Sequence, residues 1–155
     1  MALVIAFVPN PSKGVAEMCR VTKPGGQVAT YMWDLPKGMP RHPMAKILTE
    51  MGMSSLSLPS EEFSQMQSMR KLWVDAGLQK VESTEIRIPL SFVNFEEFKR
   101  WSSLPVGALS KSIMNLSAEA KEELYVRLKR TLPQTTDGRI AYECFANAVK
   151  GVCPA

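Results

Sequence analysis

The stretch from Asn10 to Trp33 constrains the fold most, because it predicts a helix, an abrupt turn and a strand in direct succession. Asn10 is a residue type that caps helix N-termini, and Pro11 suits the first helical position. Pro24-Gly25-Gly26 ends this helix, since proline cannot continue it and glycine adopts the backbone angles of a sharp reversal. The β-favouring residues of Gln27 to Trp33 then predict a buried strand. A helix that passes into a strand through a tight turn is one step of an α/β alternation.

Two later segments predict further strands of the same sheet. From Glu82 to Phe92 apolar and polar residues alternate, which indicates a half-exposed strand, and Pro89 favours a place at a sheet edge. From Arg139 to Val149 the residues are apolar on both faces, which is typical of a central strand that is covered by helices. The sequence therefore predicts an α/β fold whose last strand lies inside the sheet.

Apolar periodicity and capping residues predict helices between these strands. The longest pattern runs from Ser60 to Gly77, and its predicted inward stripe consists of Phe63, Met66, Arg70 and Trp73. The other predicted helices cover Met44–Met51, a short stretch capped by Asn94 and ending near Trp101, and a last stretch capped by Ser117. We expect a linker at Ser54–Pro59 and a loop or short helical insert at Leu104–Leu116.

Length and composition exclude several classes of protein. With 155 residues, 45% of them hydrophobic and 22% charged, the chain is expected to form one globular domain rather than a disordered segment. The net charge of +4 is spread along the chain, so we expect no nucleic-acid partner. The longest apolar run, Ala2–Val8, is too short for a membrane helix and lacks the basic start of a signal peptide. We therefore expect a cytoplasmic protein with no membrane partner, and the run itself predicts either a buried strand or a turn.

Cysteine and histidine usage argues against disulfide and metal chemistry. The three cysteines are an odd number without a Cys-x-x-Cys pair, which predicts neither a disulfide framework nor a zinc site. Cys19 and Cys144 lie within apolar patterns and are expected to be small core residues. Because His42 is the only histidine, a metal site with several histidines from one chain is excluded, and we expect no metal.

The ends of two predicted helices follow specific motifs. Asn10-Pro11 opens the first helix and Val15-Ala16-Glu17-Met18-Cys19-Arg20-Val21-Thr22-Lys23-Pro24-Gly25-Gly26 closes it. The second ends in Leu72-Trp73-Val74-Asp75-Ala76-Gly77-Leu78. These motifs resemble the helix ends before strands five and six of the class I S-adenosylmethionine-dependent methyltransferases, most closely the UbiE-like, small-molecule branch. The resemblance covers essentially the whole chain.

The resemblance implies a partial Rossmann-like fold. The chain would hold the equivalents of strands five, six and seven with their packing helices, and the last strand would be central and antiparallel. Met1 would lie at the end of strand four. Residues 1–155 would then form a single domain equivalent to the C-terminal part of a methyltransferase domain, with segments 35–59 and 93–116 as loops or inserts on the substrate side.

The resemblance also nominates site residues and a cofactor, S-adenosylmethionine. Residues after strand four line the methionine and sulfonium end of the cofactor in the family, and residues at the end of strand five face a small-molecule methyl acceptor. The candidates for the cofactor are Ala2, Leu3 and Phe7, and those for the acceptor are Tyr31, Trp33, Asp34 and His42. Alternatives remain: Phe7 and Trp33 as core aromatics, Asp34 as a residue that caps or solvates the strand end, and His42 as a surface residue rather than a general base.

The family binds its cofactor mainly through a Gly-rich turn after strand one and an acidic residue that ends strand two. This sequence contains no Gly-x-Gly. One hypothesis is therefore a methyltransferase-like protein that is inactive or weak as this chain alone. The other is a non-catalytic, self-associating module. Either way, the strand over 27–33 would have an unpaired edge, which we expect a homodimer or a folded-back Ala2–Val8 to cover.

Overall fold

The chain divides into two compact units, each built from its own set of segments. The structure is a computed structural model that describes residues 1–53 and 58–154, apart from the side chain of Ala108. Within these ranges, the first unit comprises residues 1–39, 58–87 and 145–154, and the second comprises residues 40–53 and 88–144. The linker predicted at Ser54–Pro59 falls largely outside the described residues.

Helices and strands alternate along the chain largely as the sequence predicts. The helices are α1 (Pro11–Arg20), α2 (His42–Glu50), α3 (Met66–Asp75), α4 (Phe95–Ser102), α5 (Ala108–Met114) and α6 (Ala118–Thr131). The strands are β1 (Gln27–Trp33), β2 (Gln79–Phe92) and β3 (Ile140–Val152). Short 3₁₀ helices lie at Ile5–Phe7 and Glu61–Ser64. No helix in the described ranges has the length and apolarity that a bilayer crossing requires.

The three strands form one sheet in the order β1-β3-β2. Strand β3 runs antiparallel to β1, with Gln27 opposite Val152 and Trp33 opposite Ala146. The predicted α/β class, with the last strand central and antiparallel, is confirmed. Because β3 has a strand on either side, its apolar residues lie in the middle of the sheet, where packed helices cover them best.

Helices α1 and α3 cover one face of the sheet in the first unit. Strand β1 alternates strictly, so that Val28, Thr30 and Met32 are buried while the residues between them are exposed or half-buried. Trp73 of α3 is fully buried, and its indole N–H donates a hydrogen bond to the Val28 carbonyl over 3.1 Å. This contact fixes the helix on the strand through both packing and a satisfied polar group.

The inward stripe predicted between Ser60 and Gly77 is correct only in part: Trp73 is fully buried and Phe63 packs against the core, but Arg70 is not buried. Gln65 has an extended backbone (φ −86°, ψ 140°), which separates the 3₁₀ turn from α3 and resets the helical phase. The buried residues of α3 are therefore Met69, Leu72 and Trp73, while Arg70 is exposed. A periodicity counted through such a break misplaces Arg70, which is exposed, and misses Met69 and Leu72, which are buried.

The second unit is built on helix caps and an aromatic cluster. The predicted caps are confirmed: the side chains of Asn94 and Ser117 accept hydrogen bonds from the backbone N–H groups of Glu97 (3.0 Å) and Ala120 (3.2 Å). The aromatic cluster combines Phe92, Phe95, Phe98, Trp101, Tyr125 and Tyr142 through ring contacts with centroids 5.1–6.4 Å apart. Helix α5 occupies the stretch where a loop or short helical insert was expected.

The cysteine prediction is wrong for two of the three residues. Cys19 in α1 and Cys153 after β3 form a disulfide, with Cα atoms 5.7 Å apart and a sequence separation of 134. The glycine turn brings them together, because the Gly25 N–H donates to the Cys153 carbonyl and the Cys153 N–H donates to the Gly26 carbonyl. Cys144 is a buried free thiol, as expected.

Candidate functional site

The N-terminal segment lies beside β1 and then turns away as a 3₁₀ helix. Ala2 forms a parallel bridge with Tyr31, and the Leu3 N–H donates to the Tyr31 carbonyl over 2.8 Å. The open choice for Ala2–Val8 is thus resolved as a short pairing followed by a turn, since Ile5–Phe7 is helical. Of the residues proposed for the cofactor, Ala2 is exposed, Leu3 is half-buried and Phe7 is 50% exposed.

A hydroxyl from the second part of the first unit holds this turn. The Ser60 hydroxyl donates to the Val8 carbonyl over 2.7 Å, and the Ser60 N–H donates to the Ala6 carbonyl over 3.1 Å. Ser60 was predicted as a helix cap, but its side chain caps no helix and instead binds the end of the turn. The position of Phe7 at the surface is therefore fixed by backbone bonds on its two neighbours.

The residues proposed for the acceptor differ in their accessibility. Tyr31 is 40% exposed and lies on the face of β1 that carries no helix, and Trp33 at the strand end is half-buried. Asp34, directly after β1, is only 9% exposed. His42 is the first residue of α2 in the second unit and is half-buried. The structure thus brings Tyr31, Trp33 and Asp34 together in one unit and leaves Asp34 the least accessible of them.

Asp34 belongs to a buried polar cluster with Ser64 and Asn147. One carboxylate oxygen of Asp34 accepts from the Asn147 side-chain amide over 2.9 Å, and the same amide donates to the Ser64 carbonyl over 2.8 Å. The other carboxylate oxygen accepts from the Lys37 N–H over 3.1 Å. Asn147 is 1% exposed and Ser64 is fully buried. Sequence analysis missed both, although an asparagine between two alanines in a two-sided apolar strand is a detectable signal.

In and beside this cluster, two buried side-chain atoms find no hydrogen-bond partner among the described residues. They are the side-chain oxygen of Asn147 and the hydroxyl of Thr30. Met32 lies opposite Asn147 and Thr30 opposite Val149, so the two groups are diagonal neighbours on one face of the sheet. Buried polar groups of this kind are usually satisfied by ordered water in folded proteins.

The loop after β1 lies directly against β3. The Phe145 N–H donates to the Gly38 carbonyl over 2.9 Å, and the Gly38 N–H donates back to the Asp34 carbonyl over 2.6 Å. A Cβ atom at residue 38 would lie 2.4 Å from the Phe145 carbonyl oxygen, so only glycine fits there. Asp34 therefore anchors a tight turn at the end of β1.

A cavity of the first unit lies on the uncovered face of the sheet. It has a volume of about 770 Å³ and includes Ala2 and Tyr31 among its lining residues. The rest of the lining comes from all three strands, notably Ala29 of β1, Thr84 of β2, and Ala148 and Lys150 of β3. Two of the predicted site residues thus border the same open groove.

A guanidinium organises the insert of the second unit. Arg41 donates to the carbonyls of Val106, Leu104 (3.1 Å) and Trp101 (3.3 Å) and to the Ser110 hydroxyl (2.6 Å). Its charge also lies over the Trp101 ring, 5.2 Å from the centroid. Burial lowers the pKa of Arg41, and the nearby Tyr125 and Tyr142 raise it.

A smaller cavity of about 260 Å³ lies next to this insert. Its lining includes the hydroxyls of Ser102, Ser103, Ser110 and Tyr125. The Ser102 and Ser103 hydroxyls both donate to the Lys99 carbonyl, over 2.9 and 2.7 Å. Because their protons are used by the backbone, these serines stabilise the end of α4. The described residues contain no group of three or more ligating side chains that could hold a metal ion.

Comparisons with solved structures return methyltransferases. A proposed methyltransferase from Bacillus halodurans C-125 matches over 99% of this chain and 68% of its own, with 17% identity and a TM-score of 0.49. Phosphoethanolamine N-methyltransferase 2 of Haemonchus contortus matches in complex with phosphomonomethylethanolamine and S-adenosylhomocysteine (14% identity, TM-score 0.44) and in complex with S-adenosyl-L-methionine (15%, 0.43).

This chain is 99% covered in both Haemonchus comparisons but spans only 32% of that enzyme. No protein-family model matches the sequence, and no curated protein does. At these identities and TM-scores the likeness carries no assignment of function.

Proposed function

We propose that this chain is an S-adenosylmethionine-dependent methyltransferase-like protein, equivalent to the acceptor side of such a domain from the end of strand four onward. One observation supports this most: Ala2 lies parallel to Tyr31 at the outer edge of β1. The sequence resemblance expects that place for the end of strand four beside strand five. The order β1-β3-β2 supports the same correspondence.

The proposed roles follow from accessibility. Phe7 would contact the methionine and sulfonium end of the cofactor, since half of its side chain is exposed and an aromatic face attracts a cation. Tyr31 and Trp33 would border a small-molecule acceptor. Asp34 would position the turn after β1 instead of touching the acceptor, because the Asn147 amide and the Lys37 N–H occupy its two carboxylate oxygens.

The residues of this chain do not fit the whole cofactor. The methionine end has candidates in Ala2, Leu3 and Phe7, but the sequence supplies no Gly-x-Gly turn for the nucleoside end. We therefore assign no catalytic step to this chain and propose that it is inactive or weak by itself. The acceptor class and a cytoplasmic location are part of the same proposal.

Titration calorimetry with S-adenosylmethionine tests the weak-binding part. We expect no saturable heat up to about 1 mM cofactor, which corresponds to a binding free energy weaker than about −4 kcal/mol. Micromolar binding would overturn the claim that the chain alone is inactive.

A second measurement tests the site. With millimolar S-adenosylmethionine, we expect amide chemical-shift changes confined to residues 2–8 and the end of β1. Phe7→Ala should abolish them, whereas Val21→Ala, at a residue that is 70% exposed on the far end of α1, should leave them unchanged. Shifts that are absent from residues 2–8 would contradict the proposed cofactor end.

The second candidate function is a non-catalytic, self-associating module. The observation in its favour is the groove of about 770 Å³ on the bare face of the sheet. Under this alternative the amide shifts with S-adenosylmethionine would not appear at all, while self-association would remain.

A further inference from the structure

The first unit presents a face of the sheet that is apolar in the middle and charged at one rim. We name it the alanine trough and define it by Ala29 and Tyr31 of β1, Ala148 and Lys150 of β3, and Glu82 and Thr84 of β2. The pairing of Tyr31 with Ala148 and of Ala29 with Lys150 shows that these β1 and β3 residues share one face. Helices α1 and α3 lie against the opposite face, so the trough is open.

The shape of the trough leaves room for a large side chain from outside. Its floor is made of alanines, and Tyr31 rises beside them with 40% of its surface exposed. The exposed Tyr31 ring projects from the surface, and the small alanine side chains beside it leave a depression. A surface that carries both can pack against an identical surface turned by a half rotation.

The charges of the rim have the same self-complementary character. Lys150 and Glu82 form an ion pair of 3.1 Å across β3 and β2, and their side chains are 49% and 67% exposed. A partner complementary to this rim presents an anion towards Lys150 and a cation towards Glu82. A second copy of the chain does so by symmetry, whereas an arbitrary apolar helix does not.

We propose that the alanine trough is the contact surface between two copies of this chain. Each copy places Tyr31 over the alanine floor of the other, and Lys150 of each copy faces Glu82 of its partner. The sequence expectation placed self-association at the edge of β1, but residues 1–3 already lie along part of that edge. We therefore place the interface between the two copies on the open face of the sheet instead of at the edge of β1. This inference is independent of the proposed methyltransferase role.

Sedimentation equilibrium of the full chain tests the proposal. We expect a monomer–dimer equilibrium with a dissociation constant of about 10–100 µM, because three strands form a small interface. Purely monomeric behaviour up to about 500 µM would overturn the proposal. Tyr31→Ser should weaken the dimer at least about tenfold, because it removes the projecting ring and keeps the floor.

Charge-reversal variants test whether a second copy of the chain binds the trough. Lys150→Glu and Glu82→Lys should each weaken self-association at least about tenfold, since like charges then face each other in the dimer. An equimolar mixture of the two variants should associate at least as tightly as the wild type, because each copy then meets the opposite charge. Mixing cannot repair a folding defect, so this rescue separates contact from misfolding.

The matched control is Lys71→Glu, which reverses an exposed lysine paired with Asp75 on α3, away from the trough. It should leave the dissociation constant unchanged. Circular dichroism should show the native spectrum for all four variants. No rescue on mixing, or an equal loss from Lys71→Glu, would exclude a second copy seated on the trough.

Discussion

Replacing Arg41 should loosen the insert of the second unit without unfolding the sheet. Its guanidinium donates four hydrogen bonds to residues between Trp101 and Ser110 and lies over an indole ring. These residues connect α4 to α5, which have few other ties to the start of α2. Arg41 therefore acts as a cross-link between segments that are more than 60 residues apart.

The expected cost follows from what remains after the side chain is removed. A hydrogen bond to a charged group contributes about 1.5–3 kcal/mol, and a cation over an indole contributes about 0.5–2 kcal/mol. The full sum does not apply, because Leu104 and Val106 also accept from the Ser110 hydroxyl and Trp101 accepts from a backbone N–H. Removal also relieves a half-buried charge whose pKa burial has lowered. We expect Arg41→Ala to lower the free energy of unfolding by about 2–4 kcal/mol.

Urea unfolding followed by circular dichroism measures this cost, and Arg41→Lys separates charge from geometry. Lysine keeps the charge but cannot span four acceptors, so it should recover less than half of the loss. Arg130→Ala, at an exposed arginine of α6, is the control and should cost less than about 0.5 kcal/mol. If Arg41→Ala and Arg130→Ala cost the same, the cross-link contributes nothing and the reasoning fails.

Three further changes test other parts of the structure. Burial raises the pKa of Tyr142, whose hydroxyl donates to the Pro40 carbonyl, so the unfolded state loses this proton first and stability should fall as the pH rises above about 10. Tyr142→Phe should flatten that alkaline decline in pH-dependent urea titrations; an unchanged slope would rule out Tyr142 as its source. Thr30→Val should be neutral or stabilise by about 1 kcal/mol in thermal unfolding, because it removes an unpartnered hydroxyl, and a loss above about 1 kcal/mol would indicate a partner such as bound water. Reduction of the Cys19–Cys153 disulfide should lower the free energy of unfolding by up to about 5 kcal/mol, from the entropy of a loop of 134 residues; an equal effect of reductant on a Cys19→Ala variant would show that the bond does not act in this way.

Features that depend on neighbours in sequence could be predicted closely. Strand β1 begins and ends at the predicted residues, and Gly25 takes the positive φ (74°) that the Pro24-Gly25-Gly26 turn requires. The caps at Asn94 and Ser117 follow the same rule, because a cap involves atoms only three residues apart. Such signals survive in any tertiary context that keeps the local backbone.

Features that join distant residues could not be predicted. Asp34 meets Asn147 across 113 residues of sequence, and Cys19 meets Cys153 across 134. Both meetings depend on β3 lying beside β1, which is a property of the assembled sheet. The break at Gln65 was missed for a related reason. The preceding residue, Ser64, accepts hydrogen bonds from the distant Leu35 N–H and Asn147 amide, and no glycine or proline marks the break.

Small residues lie on both faces of β3, but only those on one face are covered by a helix. On the covered face, a Cβ atom at Gly151 would lie 2.9 Å from Leu78 and 3.1 Å from Trp73, so the missing side chain lets α3 approach. On the opposite face, Ala148 and Ala29 are similarly small but meet no helix of the first unit and instead floor the groove of about 770 Å³. Small side chains stabilise a sheet only where something fills the space they leave, since an empty apolar floor forfeits packing. In the proposed dimer, Tyr31 of one copy fills the alanine trough of the other, and only then does the trough contribute packing energy. The dissociation constant of the two copies measures that contribution.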